Sequence, residues 1–328
     1  MLRHQYELVR HLTQEGNTNI FLYRHLPSGD LVVIKKIPMS TDSIDALGDD
    51  EAAYKEMHIN RILQKSGAHG AIVQLRDAFA DDKVLHLVFE YCNGGDLLSK
   101  LADASKTFTS WGEDDVVPIF RQVAAAVAHL HALEIAHCDL SLENILLADH
   151  HRVKLCDFGL ALSQDTMRFS GVGKLYYMSP EMHMRRPYNA LAADRWAMGI
   201  LLFMLLTGRP LFERAALTDP NFKIFFHAQA ADPSTGVQAV LDAAQLSLSD
   251  AAVDLLTQLL RPSPKERLTM NDVLSHAFLM PKKVVAQSAV DSHIRTRSVS
   301  SPVSRLSSFP RPALARIPLS YFKSITTM

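Results

Sequence analysis

Residues 137–159 read HCDLSLENILLADHHRVKLCDFG, and this stretch decides the interpretation of the whole chain. It contains a His-x-Asp-x-x-x-x-Asn pattern with Asp139 and Asn144, followed by an Asp-Phe-Gly triplet that begins at Asp157. Phosphoryl transfer needs a carboxylate that accepts the proton of the attacking hydroxyl group, and it needs oxygen ligands for Mg²⁺. We expect Asp139 to accept that proton, and we expect Asn144 and Asp157 to bind the metal.

Two further motifs extend this pattern on either side. Upstream, VVIK at residues 32–35 lies on a predicted strand and precedes a predicted helix that contains Glu56. A strand lysine binds the α- and β-phosphates of ATP when a helix carboxylate orients its ammonium group, so we expect Lys35 and Glu56 to form this pair. Downstream, Ser-Pro-Glu at residues 179–181 closes the segment that begins at Asp157. Four motifs in this order rarely occur together by chance.

Over residues 6–279 the sequence resembles the protein kinase family, and its SLEN and YYMSPE segments favour the Ser/Thr branch over tyrosine kinases. The resemblance implies that ATP and Mg²⁺ are cofactors and that proteins are the substrates. It also implies structural roles for Asp194, which would brace the catalytic loop, and for Arg267, which would pair with Glu181. The residues that it implies for the nucleotide site are Lys35, Ile20, Val33, Phe89, Glu90, Cys92, Asp96 and Leu146.

The apolar pattern predicts strands first and helices later. Strand-like runs occur at residues 6–12, 20–23, 31–37, 72–79 and 84–91, with one helical stretch near residues 50–64. Helical periodicity then dominates at residues 116–133, 189–206, 251–260 and 270–277. We therefore expect a bilobal α+β protein kinase fold, with a small β-rich lobe over about residues 1–91 and a larger α-helical lobe over about 92–281.

Composition and charge restrict the class of protein further. The net charge of −1 indicates neither nucleic-acid binding nor membrane binding by the molecule as a whole. The three cysteines, Cys92, Cys138 and Cys156, are too few for a disulfide framework or a zinc cluster. The N-terminal residues lack the apolar core of a secretory signal, and the apolar run at residues 196–206 is too short to span a bilayer. We expect a cytoplasmic location, with the nucleus left open.

The last part of the chain, residues 282–328, is rich in Ser, Arg and Pro, and we expect it to be a disordered basic tail. It resembles the ligands of 14-3-3 proteins, because Arg297-Ser-Val-Ser300-Ser-Pro302 follows the pattern Arg-Ser-x-phosphoSer-x-Pro. A looser copy surrounds Ser308. The tail is therefore a candidate docking segment that would bind a 14-3-3 partner after phosphorylation at Ser300 or Ser308, and an inert linker is the alternative.

The glycine-rich loop of the family is largely absent from this chain. Counting back from Lys35, the three usual glycine positions are occupied by Thr13, Glu15 and Thr18. Glycine lets backbone N–H groups approach the phosphates closely, and a carboxylate at Glu15 adds a negative charge near a polyanion. Val33 also replaces a smaller alanine in the adenine pocket. We therefore expect weak ATP binding.

Two other positions differ from the family. Cys138 replaces the arginine that pairs with a phosphorylated activation loop, which removes the partner for a phosphate on Ser170. Asn60 lies one helical turn after Glu56, at a position that is usually apolar, and a buried polar group there needs a partner. Asn60 also leaves a second helix register open, in which Glu51 takes the place of Glu56.

A third difference involves two residues at once. Ser141 replaces the lysine of the catalytic loop, and Lys174 replaces the threonine before Ser-Pro-Glu, so the two residue types are exchanged. We hypothesise that Lys174 reaches back to Asp139 and the γ-phosphate while Ser141 supplies the hydroxyl group. The alternative is an exposed lysine on a loop.

Other interpretations of these motifs are also open. GVGK at residues 171–174 lacks the spacing of a P-loop, and no carboxylate or cysteine completes a metal site around His129, His131 and His137. A catalytically impaired kinase acting as a scaffold is the main alternative, because of the missing glycines, and a small-molecule kinase fits the pattern less well. Asp96 and Glu143 match positions that bind substrate arginines in some family members, which predicts a basophilic preference.

Overall fold

The structure is a computed structural model, and it describes residues 5–15, 18–39, 46–106, 111–149, 152–163, 167–184 and 187–280. Its first part is a five-stranded antiparallel sheet in the order β1-β2-β3-β5-β4, with one helix, α1 (Ala46–Lys65). The strands are β1 (Tyr6–Glu15), β2 (Thr18–His25), β3 (Leu31–Pro38), β4 (Leu75–Asp81) and β5 (Val84–Glu90). Residues 281–328, including the predicted docking segment, lie outside the described residues.

Strand β3 shows how the sheet positions the first site residue. Its side chains alternate, so Val32 and Ile34 are buried against one face together with Val88 of β5. Successive side chains of a strand point to opposite faces, and Lys35 therefore lies on the face opposite Ile34. The position of Lys35 follows from the burial of its neighbours.

The larger part of the fold consists of helices packed around one apolar core. Trp196, Phe203, Phe212 and Phe225 are among its fully buried side chains, and ring contacts connect Trp196 with Phe212 and Phe225. The helices are α2 (Leu97–Lys106), α3 (Glu113–Ala132), α4 (Ala190–Thr207), α5 (Pro220–Ala231), α6 (Gly236–Ala243), α7 (Asp250–Leu259) and α8 (Met270–Leu274).

Helix α4 is apolar along nearly its whole length, and it is the one helix of the described ranges long and apolar enough to cross a membrane. Within the fold, 78% of the apolar stretch Ala190–Thr207 is buried. Asn189 caps its first turn by accepting a hydrogen bond from the Ala192 N–H group at 2.9 Å. A helix that is apolar all round is expected to lie inside a protein core or a membrane, and the packing of α4 shows the first of these.

Short strands connect the helical part to the site. These are β6 (Ile135–Ala136), β7 (Ile145–Leu147), β8 (Val153–Leu155), β9 (Leu162–Ser163), β10 (Met167–Arg168) and β11 (Tyr188–Asn189). In the β7–β8 hairpin Ile145 pairs with Leu155, so the residue before β7 and the residues after β8 lie at the same end. A hydrogen bond of 2.9 Å from the Cys156 N–H group to the Asn144 carbonyl extends this pairing. The hairpin thereby brings Asn144 close to the Asp-Phe-Gly triplet.

The predicted α+β fold is confirmed, whereas several element boundaries were wrong. Helices α2, α5 and α6 were not predicted, and β4 begins at Leu75 rather than at residue 72. Helix α5 had a recognisable start, since Asp219 accepts a hydrogen bond from Phe222 and Pro220 occupies the first turn. Its apolar residues, however, are spread around the helix, which hides the period on which a sequence prediction depends.

Candidate active site

Lys35 lies at the centre of a partly buried cluster of charges. Its Nζ atom is 3.0 and 2.9 Å from the two carboxylate oxygens of Glu56 and 3.1 Å from Oδ1 of Asp157. Burial alone would lower the pKa of Lys35, but the carboxylates of Glu56 and Asp157 outweigh burial and raise it. Burial would likewise raise the pKa of Asp157, and Lys35 reverses that effect, so the net pKa is lowered. Lys35 and Asp157 are therefore both charged at neutral pH.

Helix α1 presents Glu56 to Lys35. Glu56 is only 3% exposed, and Asn60, one turn later, donates from Nδ2 to the Glu56 carbonyl at 2.9 Å. The buried amide of Asn60 thus has a partner in the backbone of its own helix. The side chain of Glu51 lies outside the described residues, and the observed ion pair decides the helix register in favour of Glu56.

The loop that contains Asp139 is held in place by a single buried carboxylate. Asp194, at the start of α4, accepts hydrogen bonds from the backbone N–H groups of His137 at 2.7 Å and Cys138 at 2.9 Å. Cys138 adopts a positive φ of 64°, a conformation that costs free energy for a residue other than glycine. The two hydrogen bonds to Asp194 stabilise this strained turn, which matches the bracing role expected of Asp194.

Within this loop Asp139 keeps one oxygen atom without a partner. Asn144 donates from Nδ2 to Oδ2 of Asp139 and to its carbonyl, at 2.8 Å in both cases. The other oxygen, Oδ1, is buried and has no hydrogen-bond partner in the described part of the chain. A buried oxygen without a partner is costly, so this atom is suited to accept a proton or a hydrogen bond from a bound group.

The donor set near Asp157 and Asn144 fits Mg²⁺. Both protons of the Asn144 amide nitrogen are engaged with Asp139, which leaves the amide oxygen as the ligand atom, and Asp157 offers a carboxylate. Among the described residues no group of three or more His, Cys, Asp or Glu side chains forms a complete metal site. Mg²⁺ usually binds through one or two protein oxygens together with phosphates and water, and the two residues meet that requirement.

Lys174 lies beside the catalytic loop, as the exchange hypothesis requires. Its Nζ atom donates to Oγ of Ser141 at 3.0 Å, lies 3.5 Å from Oδ2 of Asp139, and is 3.9 Å from Oε1 of Glu143. Burial raises the pKa of Glu143 against the lowering effect of Lys174. The placement of Lys174 is thus observed, whereas its part in the reaction stays a prediction.

The Ser-Pro-Glu motif is anchored by Arg267. The guanidinium group of Arg267 makes a bidentate ion pair with Glu181 at 2.6 and 2.7 Å, and it also donates to the Ala192 carbonyl at 2.8 Å. Arg267 is 2% exposed and lies over the ring of Trp196. This pair, predicted from the resemblance, fixes the end of the activation segment to the helical core.

The residues predicted for adenine lie on neighbouring strands. Val33 of β3 pairs with Phe89 of β5, and Ile20 of β2 pairs with Lys35. At the chain crossing after β5, the Gly94 N–H group donates to the Leu147 carbonyl at 2.9 Å, and a Cβ atom on Gly94 would lie 2.6 Å from that oxygen. Cys92 is buried just before this crossing, and Leu146 of β7 forms a bridge with Asp96. The chain after β5 is thus linked to β7 through Gly94 and Asp96.

Two side chains of this region have partners that sequence reasoning missed. Oε1 of Glu90 accepts from Lys154 of β8 at 2.7 Å and from the Gln74 N–H group at 2.9 Å. Both oxygens of Asp96 accept from Ser99, at 2.8 Å each, so Asp96 caps the start of α2. The Asp-x-x-Ser spacing could have signalled this cap, whereas no local signal connects Glu90 with Lys154.

Comparisons with known proteins agree with this geometry. The family model described as "Protein kinase domain" matches residues 6–279. The chain is 31% identical over 278 residues to "Serine/threonine-protein kinase PLK4" of Drosophila melanogaster, which covers 84% of this chain and 33% of that protein. It is 31% identical over 269 residues to "Mitosis inducer protein kinase cdr1" of Schizosaccharomyces pombe, covering 81% of this chain and 40% of that protein. The chain therefore spans about a third of the length of the curated relatives it matches.

Proposed function

Because the chain belongs to the protein kinase family and to its Ser/Thr branch, we propose that it transfers the γ-phosphate of Mg-ATP to serine or threonine hydroxyl groups of proteins. The observation that carries this proposal is the contact of Lys35 with both Glu56 and Asp157. It joins the lysine that would hold the α- and β-phosphates to the carboxylate that would hold Mg²⁺.

The proposed reaction assigns one task to each residue. The hydroxyl oxygen of the acceptor attacks the γ-phosphorus, the bond between that phosphorus and the bridging oxygen breaks, and ADP leaves. Asp139 accepts the proton through its unpartnered Oδ1 atom. Asn144 and Asp157 would hold Mg²⁺, which neutralises charge on the β- and γ-phosphates when bound.

The test is Mg-ATP-dependent phosphate incorporation into a peptide library by the full chain, with Asp157→Ala as the inactive control. We expect incorporation by the wild type that disappears with Asp157→Ala and with chelation of Mg²⁺. Incorporation equal to that of Asp157→Ala would overturn the enzyme proposal.

A scaffold without catalytic activity is the second candidate, and the replaced glycines favour it. Strands β1 and β2 remain paired as far as Glu15 and Thr18, so two of the three positions where the family has glycine form the last described pair of these strands. A scaffold would bind protein partners equally well with and without Asp157→Ala, whereas the enzyme loses its phosphate transfer. Comparison of partner binding and transfer in these two proteins separates the candidates.

We further propose a basophilic acceptor preference. Oε2 of Glu143 is buried and has no hydrogen-bond partner among the described residues, and a substrate arginine would supply one through a charge-assisted hydrogen bond. The support from Asp96 is weaker, since Ser99 already occupies both of its oxygens. An arrayed-peptide screen should show enrichment of arginine before the acceptor, and the enrichment should decrease with Glu143→Gln. A screen without arginine enrichment would remove the proposal.

For the tail we propose that phosphorylation of Ser300 creates a 14-3-3 binding segment in a cytoplasmic protein. Arginines before Ser300 and a proline two places after it meet the requirements of that groove. Fluorescence anisotropy on a peptide of residues 294–312 should show tighter binding of 14-3-3 after phosphorylation at Ser300, and Pro302→Ala should weaken it. No gain on phosphorylation of Ser300 would end this proposal, and Ser308 provides the comparison site. Imaging of a tagged chain tests the location.

A further inference from the structure

We infer that Lys174 is the cation that contacts the transferred phosphoryl group, and that the activation segment rather than the catalytic loop supplies it. This inference rests on the proposed kinase function. Its starting point is the ammonium group of Lys174, which lies 3.5 Å from Asp139 and 3.0 Å from Ser141. No other lysine or arginine of the described ranges lies within 4.0 Å of the Asp139 carboxylate.

Position 141 cannot provide this charge in the present chain. Ser141 is fully buried, and its hydroxyl group accepts the hydrogen bond that Lys174 donates. The exchanged residues therefore contact each other directly: Lys174 supplies the charge, and Ser141 positions its ammonium group. The family pattern has a lysine at position 141 and a threonine hydroxyl group at position 174. This chain has the same two groups beside Asp139, with the two positions exchanged.

The backbone before Lys174 is shaped for this approach. Gly173 has a φ of +83°, and a Cβ atom there would lie 2.9 Å from the Cys138 carbonyl and 3.0 Å from Oδ1 of Asp139. A side chain at position 173 would therefore collide with the proton acceptor and strain the backbone. After Lys174, the hydroxyl group of Tyr177 accepts a hydrogen bond of 3.1 Å from the Leu142 N–H group. Contacts on both sides of Lys174 thus bind the segment to the catalytic loop.

Electrostatics favours the same role. Lys174 lies between two carboxylates, Asp139 and Glu143, and its side chain is 28% exposed, so its ammonium group is neither fully buried nor free in solvent. In the transition state, negative charge spreads over the oxygens of the transferred group, and a positioned ammonium group would donate hydrogen bonds to them. Lys174 keeps its proton throughout, because the acceptor proton goes to Asp139.

This arrangement has a consequence for the reaction that a loop lysine would not have. The charge moves with the segment that carries it, so the phosphoryl group contacts a lysine ammonium group only when residues 171–178 lie against the catalytic loop. Two further contacts hold the flanks of that segment without a phosphate: Tyr188 donates to the Ser170 carbonyl at 2.9 Å, and Arg267 pairs with Glu181.

Four variants of the full chain test the inference, with kcat and KM for ATP and an unfolding temperature measured for each. Lys174→Met should lower kcat by about 100-fold or more with a small change in KM, the size expected when one transition-state donor is removed. Lys223→Met is the matched control, because Lys223 is exposed on α5. The double variant Ser141→Lys/Lys174→Thr moves the charge to the catalytic loop, and Lys174→Arg keeps it on the segment.

Recovery of kcat by the double variant or by Lys174→Arg to within about tenfold of wild type supports the inference, since a charge is then what the site needs. A lysine that only holds the segment would lower the unfolding temperature of Lys174→Met, and kcat would recover at lower temperature. Wild-type kcat in Lys174→Met overturns the inference and leaves the kinase proposal intact. Wild-type activity no greater than that of Asp157→Ala overturns both.

Discussion

The nucleotide side and the acceptor side of the site differ in how they relate to the sequence of the family. On the nucleotide side, Lys35, Glu56 and Asp157 occupy the expected positions, and Lys35 contacts both carboxylates at about 3 Å. On the acceptor side, Cys138, Ser141 and Lys174 all depart from the family pattern. Lys174 and Ser141 nevertheless place an ammonium group and a hydroxyl group beside Asp139.

The chemistry of the site thus requires certain charged and polar groups at certain places, but different segments of the chain can supply them. Lys35 must reach two carboxylates from one strand position, and neighbouring β3 residues fix that position by their burial. A cation near Asp139 can arrive from either of two segments that pass beside it, because both lie within the reach of a lysine side chain. On the nucleotide side the cluster of Lys35, Glu56 and Asp157 therefore keeps its residue types although the glycine-rich loop does not, while the acceptor side has exchanged Ser141 and Lys174.

The largest expected effect comes from breaking the nucleotide side. Lys35→Met leaves the buried carboxylate of Glu56 and the partly exposed carboxylate of Asp157 without their cation, and we expect kcat/KM to fall by about 100- to 1,000-fold. Lys36→Met is the matched control, because Lys36 lies next in the same strand and its Nζ atom contacts the Phe21 ring at 4.7 Å. Steady-state kinetics on both variants checks this, and equal activity in the two would contradict the assignment of Lys35.

An effect of similar size, on stability rather than on activity, concerns the anchor of the activation segment. Arg267→Met leaves Glu181 without its bidentate partner, and we expect a loss of about 3–5 kcal/mol in the free energy of unfolding. In the control Arg261→Met, one hydrogen bond to the Pro233 carbonyl is lost, so a loss below about 1.5 kcal/mol is expected. Urea unfolding measures both. A similar loss in the two variants would show that the buried pair contributes no more than a surface contact.

A smaller effect tests the replaced glycines. Glycine at Thr13, Glu15 and Thr18 together should lower KM for ATP several-fold, because backbone N–H groups could approach the phosphates more closely. The same change should reduce stability by about 0.5–1 kcal/mol for each strand position. Glu7→Gly controls for the loss of strand propensity in β1, since Glu7 is exposed and lies at the far end of that strand. An unchanged or higher KM for ATP would contradict the prediction that the missing glycines weaken ATP binding.

The smallest expected effect is at Ser170. Burial raises the pKa of the Cys138 thiol to about 12, so the residue that replaces the usual arginine is neutral at physiological pH. Tyr188 holds the segment through the backbone of Ser170, which substitution leaves in place. We expect Ser170→Ala and Ser170→Asp to stay within about twofold of wild-type kcat. A tenfold change in either would show that this segment responds to charge after all.

The sequence predicted much of this site because its motifs are local. The spacing of Asp139 and Asn144 is that of one loop, and Asp157 follows a short strand whose pairing with β7 needs few residues. The contact between Lys35 and Glu56 was also predictable, although Asn60 left its register open. The Asn60 amide donates to the Glu56 carbonyl one turn earlier, so its polar group is satisfied within the helix. This hydrogen bond exists only once the helix has formed, and the residue types alone did not indicate it.

Other contacts join residues that are distant along the chain, and no local signal marks them. Glu90 pairs with Lys154 of β8, and the hydroxyl group of Tyr177 accepts a hydrogen bond from the Leu142 N–H group. The sequence by itself determined the fold class, the order of the motifs and the identity of the charged groups, because those depend on residue type and spacing. Only the tertiary structure decided that Lys174 lies within 3.5 Å of Asp139, since that distance depends on how Gly173 and the segment around it pack against the catalytic loop.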